Sequence, residues 1–193
     1  MRGMAYGQAN RGRAFEEIIT WSNRQYRERG LAVIHKVPTA FLPIRGRPDP
    51  YTGKRPIVTA KVEEKAAVDF LGIYRGLGVA FDAKECRDHR WPLRNLEPHQ
   101  AEFLRDWHEQ GGIAFILIAY WPNPDIYLVP WWELGARLTV WQGGGEASIA
   151  REDLARSRPT ITAGRGAAFD YLAEVDRLWV DRLWRLGMWP NRN

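Results

Sequence analysis

A single cysteine, Cys86, stands in 193 residues, which excludes an intramolecular disulfide framework and a cysteine-rich zinc site. Long apolar runs are absent too. The longest, Gly112 to Trp121, falls well short of the roughly 20 residues that a membrane helix needs and suits a buried strand. The N-terminal stretch MRGMAYGQANRGR is basic but lacks an apolar core, so no secretion signal is read and a cytoplasmic protein is expected. No Ser-His-Asp arrangement suggests nucleophilic catalysis. Gly143–Gly145 is not followed by the Lys-Ser/Thr of a phosphate-binding loop, so ATP dependence is not expected. Internal repeats and low-complexity tracts are also missing, and the length suits one domain spanning 1–193.

What is present is a modest basic excess, 28 Lys and Arg against 23 Asp and Glu. Its distribution is more telling than its size. Residues 1–36 carry seven basic side chains against three acidic ones, and residues 41–61 carry five against one. Both blocks precede the acidic cluster described below, and such a concentration suits a polyanionic partner.

Apolar spacing predicts a helix from about Arg11 to Arg29, with Phe15, Ile18, Ile19 and Tyr26 on one face and Gly30 just past its end. Leu31–Val37 reads as a strand, on which His35 is expected to be a satisfied core histidine. In residues 38–59 the prolines at 38, 43, 48, 50 and 56 exclude a helix and disfavour a central strand, since each removes a backbone donor. A protruding hairpin or mobile loop over about 40–63 is expected there, with residues 1–10 as a flexible arm. Ala66–Tyr74 and Val79–Cys86, separated by Arg75-Gly76-Leu77-Gly78, read as a hairpin. A second helix follows over Glu97–Gln110, with Pro98 near its first position and Gly111-Gly112 at its end. Strands at Ile113–Tyr120 and Ile126–Val129, a loop at Gly143–Gly145 and a closing amphipathic helix around Phe169–Leu186 complete the pattern; the sequence leaves the role of residues 140–165 open. An α/β fold follows, a mixed sheet flanked by helices.

The chemistry concentrates on the hairpin. Period-two geometry puts Phe81 and Ala83 on one face of the second strand and Asp82 and Lys84 on the other. An acid and a lysine on an otherwise apolar strand are costly to bury unless they pair or serve a site. Twelve residues separate Asp69 from Asp82, a spacing that lets the two carboxylates approach across the turn. Two converging carboxylates form an oxygen-rich site suited to Mg²⁺, with Mn²⁺ as an alternative. An adjacent ammonium can hold an attacking water or offset charge on a phosphoryl oxygen. Asp69 with Asp82-Ala83-Lys84 is thus a minimal set for metal-assisted phosphodiester hydrolysis, although an acid-x-lysine triplet by itself is common on exposed edges.

The spaced Asp69 and Asp82-Ala83-Lys84 resemble the PD-(D/E)xK nuclease motif, and an ordered series of further stretches resembles the RecU family of Holliday-junction resolvases. These are Asn10-Arg11-Gly12 with Glu16-Glu17, Ala32 to Thr39, Asp69 to Gly76, Phe81 to Glu85, Leu93 to Leu96, His99-Gln100 and Phe169-Asp170-Tyr171. The resemblance implies a restriction-endonuclease-like core, with Asp69 and Asp82 as metal ligands and Lys84 as the catalytic lysine. Glu16 would reach the site from the first helix; the alternative is a solvated helix-face acid. Gln100 would serve as a further metal ligand or, more simply, be a first-turn helix residue. Arg11 and Arg13 would contact phosphate. Segment 40–63 falls where the family carries a projecting stalk, so Arg45, Arg47, Lys54 and Arg55 would face the phosphates of four-way DNA; an ordinary solvated loop is the alternative. A homodimer acting on junction DNA in the nucleoid, with the strand-exchange recombinase as a further partner, is the implied assembly.

Two departures stand out. Asp82 occupies a position where these proteins typically carry Glu, and Ala67-Val68 precede Asp69 where hydroxylated residues are usual. Ten tryptophans, including Trp131, Trp132, Trp141, Trp179, Trp184 and Trp189, suggest core or interface packing more than base stacking. The rival functions are a non-catalytic four-way-DNA binder that modulates strand exchange and a related nuclease acting on flaps or duplex. A pure binder would not need the acid–acid–lysine set.

Overall fold

The computed structural model describes residues 12–38, 40–43, 60–64, 66–122 and 124–185, with side chains over 14–38, 66–122 and 124–179. Helix α1 (Gly12–Glu28) leads into strand β1 (Ala32–Lys36). It ends where the sequence places glycine. Gly30 takes φ +66°, its N–H bonds the Arg27 carbonyl, and the Leu31 N–H bonds the Tyr26 carbonyl. That is a Schellman cap, which satisfies carbonyls the helix cannot pair internally. Phe15, Ile19 and Tyr26 are buried as expected, but Ile18 is 37% exposed. At about 100° per residue, Ile18 falls on the flank of the stripe that the other three define.

Strands β2 (Ala40–Pro43) and β3 (Ala60–Glu64) form a separate antiparallel ladder, with a register shift between Ala40 and Phe41. The chain between them, with Arg45, Arg47, Lys54 and Arg55, lies outside the described residues, as do residues 1–10 and Arg11. The main sheet resumes at β4 (Phe70–Tyr74) and β5 (Leu77–Cys86). Their turn is shorter than the glycine spacing suggested. Only Arg75 (φ 49°) and Gly76 (φ 75°) lie in it, the two left-handed positions of a tight hairpin, and Leu77 and Gly78 already pair in β5.

After β5 come the short strand β6 (Arg90–Pro92), a 3₁₀ turn (Leu93–Asn95) and helix α2 (Pro98–Glu109). Strands β7 (Ile113–Tyr120) and β8 (Asp125–Pro130) follow. Helix α3 (Trp131–Gln142), strand β9 (Ser148–Ala150) and helix α4 (Arg151–Ser157) then precede α5 (Tyr171–Arg185). Helix α3 carries apolar residues almost all round, so no 3.6-residue stripe announces it in the sequence.

The sheet order is β1-β4-β5-β7-β8, antiparallel throughout except for the β5–β7 pair, which the α2 crossover makes parallel. Helices α1 and α5 cover one face, where Phe15, Ile19, Tyr171, Leu172 and Trp179 pack on Ile34, Phe70, Phe81 and Phe115. On the other face Trp91, Leu104, Leu134 and Leu154 pack on Ala80, Ile116 and Ile118. Strand β7 is therefore buried along its whole length, as its unbroken apolar run implies.

The strand's alternation places His35 on the outward face of the edge strand β1, where it is exposed; it is not a core histidine. Among the tryptophans, Trp179 is 3% exposed, and Trp131 and Trp141 pack against the second core. Trp132 is 43% exposed although its ring meets Trp179 edge-on at 4.7 Å. Trp184 and Trp189 lie beyond the described side chains. Asp170 begins α5, accepting from the Ala173 N–H at 3.3 Å and from the Tyr26 hydroxyl at 2.9 Å. Burial alone would raise its carboxyl; the Arg165 guanidinium and the Tyr26 hydroxyl more than offset that and hold it below the usual range. Among the described residues no helix is long and apolar enough to cross a membrane.

Candidate active site

The site forms where one strand stops and its neighbour runs on. Phe70, the first residue of β4, pairs with Phe81 of β5, and Phe81 pairs with Phe115 of β7. Their rings stack at 4.8 and 4.6 Å, the spacing of adjacent strands, so three phenylalanines fix the register on the α1 face. One step further along, β4 has ended. Asp69 lies just before it, although the sequence reading placed it within a strand over Ala66–Tyr74, and its carbonyl accepts from the Val37 N–H at 2.8 Å. With no β4 residue left to pair, the backbone of β5 is free to meet side chains.

Asp69 and Asp82 fill that opening reciprocally. The Asp69 N–H donates to Oδ1 of Asp82 at 3.0 Å, and the Ala83 N–H donates to Oδ2 of Asp69 at 2.8 Å. Each carboxylate is thus held by the other segment's backbone. Asp82 is fully buried, with Lys84, 14% exposed, beside it; the Lys84 ammonium is ion-paired to Asp82 Oδ2. Burial raises the Asp69 carboxyl, and the neighbouring Asp82 raises it further, to about 7, against smaller opposing effects from the Ala83 N–H and the Lys84 ammonium. The protein therefore assembles two carboxylates whose joint ionisation it does not itself fully offset. Such an arrangement favours a cation.

Gln100 approaches from α2. Its Oε1 accepts from the Lys84 ammonium at 2.8 Å and from the Glu97 N–H at 3.2 Å. The Glu97 side chain returns the bond to the Gln100 N–H, closing a capping box at the helix start. Glu97 is the member that the sequence reading did not single out. The Glu-x-x-Gln spacing ahead of an apolar run was its only signal, and Glu is not among the favoured N-cap residues.

Two further predicted residues lie on α1. Glu16 pairs with Lys36, on the α1 face of the sheet, opposite the face that carries Asp82 and Lys84. Arg13 falls in the first turn of α1. Val68, where a hydroxyl would be usual, is 1% exposed and belongs to the core. Among the described residues no three His, Cys, Asp or Glu side chains gather into a metal cage. Two carboxylates fit a cation that keeps most of its water and takes its remaining ligands from substrate, as Mg²⁺ does. Asp82 Oδ2 agrees with that role: it is buried, faces the Lys84 ammonium and accepts no hydrogen bond of normal geometry from the described residues.

Comparison with known proteins gives a consistent result. The family model for Recombination protein U matches residues 10–177. The protein named Holliday junction resolvase RecU of Limosilactobacillus reuteri (strain DSM 20016) is 35% identical over 171 residues, 88% of this chain and 83% of that protein. Its namesake in Geobacillus kaustophilus (strain HTA426) is 32% identical over 182 residues, 94% of this chain and 90% of the relative. In Streptococcus sanguinis (strain SK36) the identity is 38% over 123 residues, 63% of this chain and 61% of the relative. With a match that runs through the hairpin, α2 and the start of α5, the chain belongs to the RecU family.

Proposed function

We propose that the protein is a structure-specific endonuclease that resolves Holliday junctions in DNA recombination and repair, using a restriction-endonuclease-like core and a divalent cation. The interlocked Asp69–Asp82 pair beside the Lys84 ammonium carries this reading. A structural ion pair would need one acid, whereas here two carboxylates share a largely buried position that one lysine does not neutralise.

Asp69 and Asp82 would hold Mg²⁺ or Mn²⁺. The alternation that turns the Ala83 N–H toward Asp69 turns the Ala83 carbonyl the same way, offering a third oxygen. Bound there, the cation would acidify a water and neutralise charge on the scissile phosphate. The chain's own contribution is positional. Asp82 and Gln100 hold the Lys84 ammonium at the edge of the pair, where its remaining N–H can orient the attacking water or stabilise a phosphoryl oxygen. Water adds to phosphorus as the bond to the 3′ oxygen breaks, leaving 5′-phosphate and 3′-hydroxyl ends.

Two such sites in a homodimer would nick opposing strands symmetrically, matching the pseudo-two-fold of a four-way junction. The β2–β3 ladder brackets the basic, proline-rich segment and supports its reading as the base of a projecting hairpin, with Arg45, Arg47, Lys54 and Arg55 toward phosphate. Arg11 and Arg13 would add backbone contacts near the first helix.

The deciding experiment compares wild type with Asp82→Asn on a labelled mobile junction and a matching duplex, with and without Mg²⁺. Paired symmetric nicks on the junction alone, requiring metal and absent in the variant, are the expected result. Tight junction binding without cuts under any divalent cation would sink the catalytic reading.

A further inference from the structure

We propose that Gln100 is a positioning residue: its side-chain amide tethers the Lys84 ammonium so that the lysine stays in place when a divalent cation draws on Asp82. This rests on the hydrolytic reading of the site. It gives Gln100 a role different from that of a metal ligand.

A lysine ammonium has three protons and no acceptor. At Lys84 one faces Asp82 Oδ2 and one is donated to Gln100 Oε1 at 2.8 Å. Tetrahedral geometry then fixes the direction of the third, and that directed N–H is the part useful to a reacting phosphate. The side chain reaching this position is a flexible four-carbon stem, so its placement depends on those two acceptors. They are not equivalent. Asp82 is also the carboxylate a cation would take, and an ammonium and a divalent cation repel each other across one carboxylate. Gln100 is neutral and does not enter that competition. Its position is fixed independently of Lys84, because Oε1 also accepts from the Glu97 N–H at 3.2 Å while the Glu97 side chain holds the Gln100 N–H. An amide oxygen has two lone pairs, and both are filled. The atom therefore has a tether's geometry, with no lone pair directed at a metal.

The test uses the full-length protein as Gln100→Met and Gln100→Glu, with Lys84→Ala as reference. Glutamate also satisfies a capping box, so the Glu variant keeps the helix start and the tether, whereas methionine keeps the length and removes the acceptor. Four quantities are read: single-turnover cleavage of a labelled junction in Mg²⁺, junction affinity in Ca²⁺, Mn²⁺ affinity by calorimetry, and the rate of reductive methylation at Lys84 in DNA-free protein by mass spectrometry. For Gln100→Met the expected result is cleavage slowed on the order of 10²-fold, the usual effect of a displaced catalytic group. Junction and Mn²⁺ affinities should stay close to wild type while Lys84 methylation quickens several-fold. Gln100→Glu should restore slow methylation and much of the lost rate.

A tenfold loss of Mn²⁺ affinity in Gln100→Met with Lys84 still protected would make Gln100 a metal ligand and overturn the proposal. Wild-type cleavage and wild-type methylation in Gln100→Met would reduce the residue to a helix cap and overturn it equally. If the wild type itself fails to cut junctions, the function proposed above fails instead, and the methylation comparison still decides the tether.

Discussion

Replacing Asp69 by asparagine should stabilise the metal-free protein at pH 8 while abolishing cleavage. The carboxyl of Asp69 is raised from 3.8 to about 7, first by burial and then by Asp82. Below about pH 4 the folded and unfolded states both hold the proton, and the group has no effect on stability. Between about pH 4 and 7 the unfolded chain ionises while the folded protein keeps its proton, so stability falls as pH rises. Above pH 7 the full cost is present. Three pH units at roughly 1.4 kcal/mol each set an upper bound of about 4 kcal/mol. Water entry and relaxation should reduce this to about 2–3 kcal/mol, a gain of roughly 5–10 °C in Tm for a chain of this size. Asparagine keeps the acceptor for the Ala83 N–H, so the gain is electrostatic and not offset by a lost bond. Thermal melts in EDTA from pH 4 to 8.5 read the difference directly. It should be near zero at pH 4 and maximal at pH 8. Saturating Mg²⁺ should shrink it by stabilising wild type alone. A variant equally stable or less stable than wild type at pH 8, or a gap unchanged between pH 4 and 8, would refute the idea that the fold holds these carboxylates in readiness for a cation.

Other outcomes follow from single features. Gly30→Ala should cost about 1–2 kcal/mol, read by denaturant titration, because a left-handed φ of +66° is the only obstacle and no atom lies within 4 Å of the added methyl. Arg158, 7% exposed, donates to the Leu128 carbonyl at 2.6 Å and pairs with Glu133, which keeps Arg137 as a second partner, so Arg158→Ala should lose about 2 kcal/mol, mainly by leaving the Leu128 carbonyl unpaired. Phe81→Ala removes the middle ring of the three-strand stack and should cost about 3–5 kcal/mol in the same titration. Junction affinity should fall steeply between 50 and 200 mM salt, measured by fluorescence anisotropy. Removing Arg45 and Arg47 together should flatten the logarithmic slope by about two, and an unchanged slope would remove those side chains from the interface.

Much of the site was legible because it is built from local rules. Period-two alternation alone puts Asp82 and Lys84 on one face of β5 and Phe81 on the other, and the stacked phenylalanines and the Lys84 ion pair bear it out. Gly30 and Gly111 end their helices because few other residues tolerate the left-handed conformation a Schellman cap needs, and both are found in it, at φ +66° and +90°. A fully apolar run such as Ile113–Tyr120 has to be covered on both sides, and it is.

What the sequence could not decide was which distant groups meet. Whether Gln100 would face a metal, a lysine or solvent depended on the height at which α2 crosses the sheet, which packing of Leu104 against the second core sets. Glu16 sits on the first helix at a suitable spacing, yet the layer to which α1 belongs turns it toward Lys36. His35 looked like a core residue on an apolar strand until the order of strands made β1 an edge with one uncovered face. The two carboxylates were expected to approach, but the bonds from the Asp69 N–H to Asp82 and from the Ala83 N–H to Asp69 arise only because β4 stops just short of Asp69. Propensity and periodicity act over a few residues and fix elements and faces. Contacts between elements far apart in sequence depend on burying all the apolar faces at once, and only the assembled tertiary structure determines them.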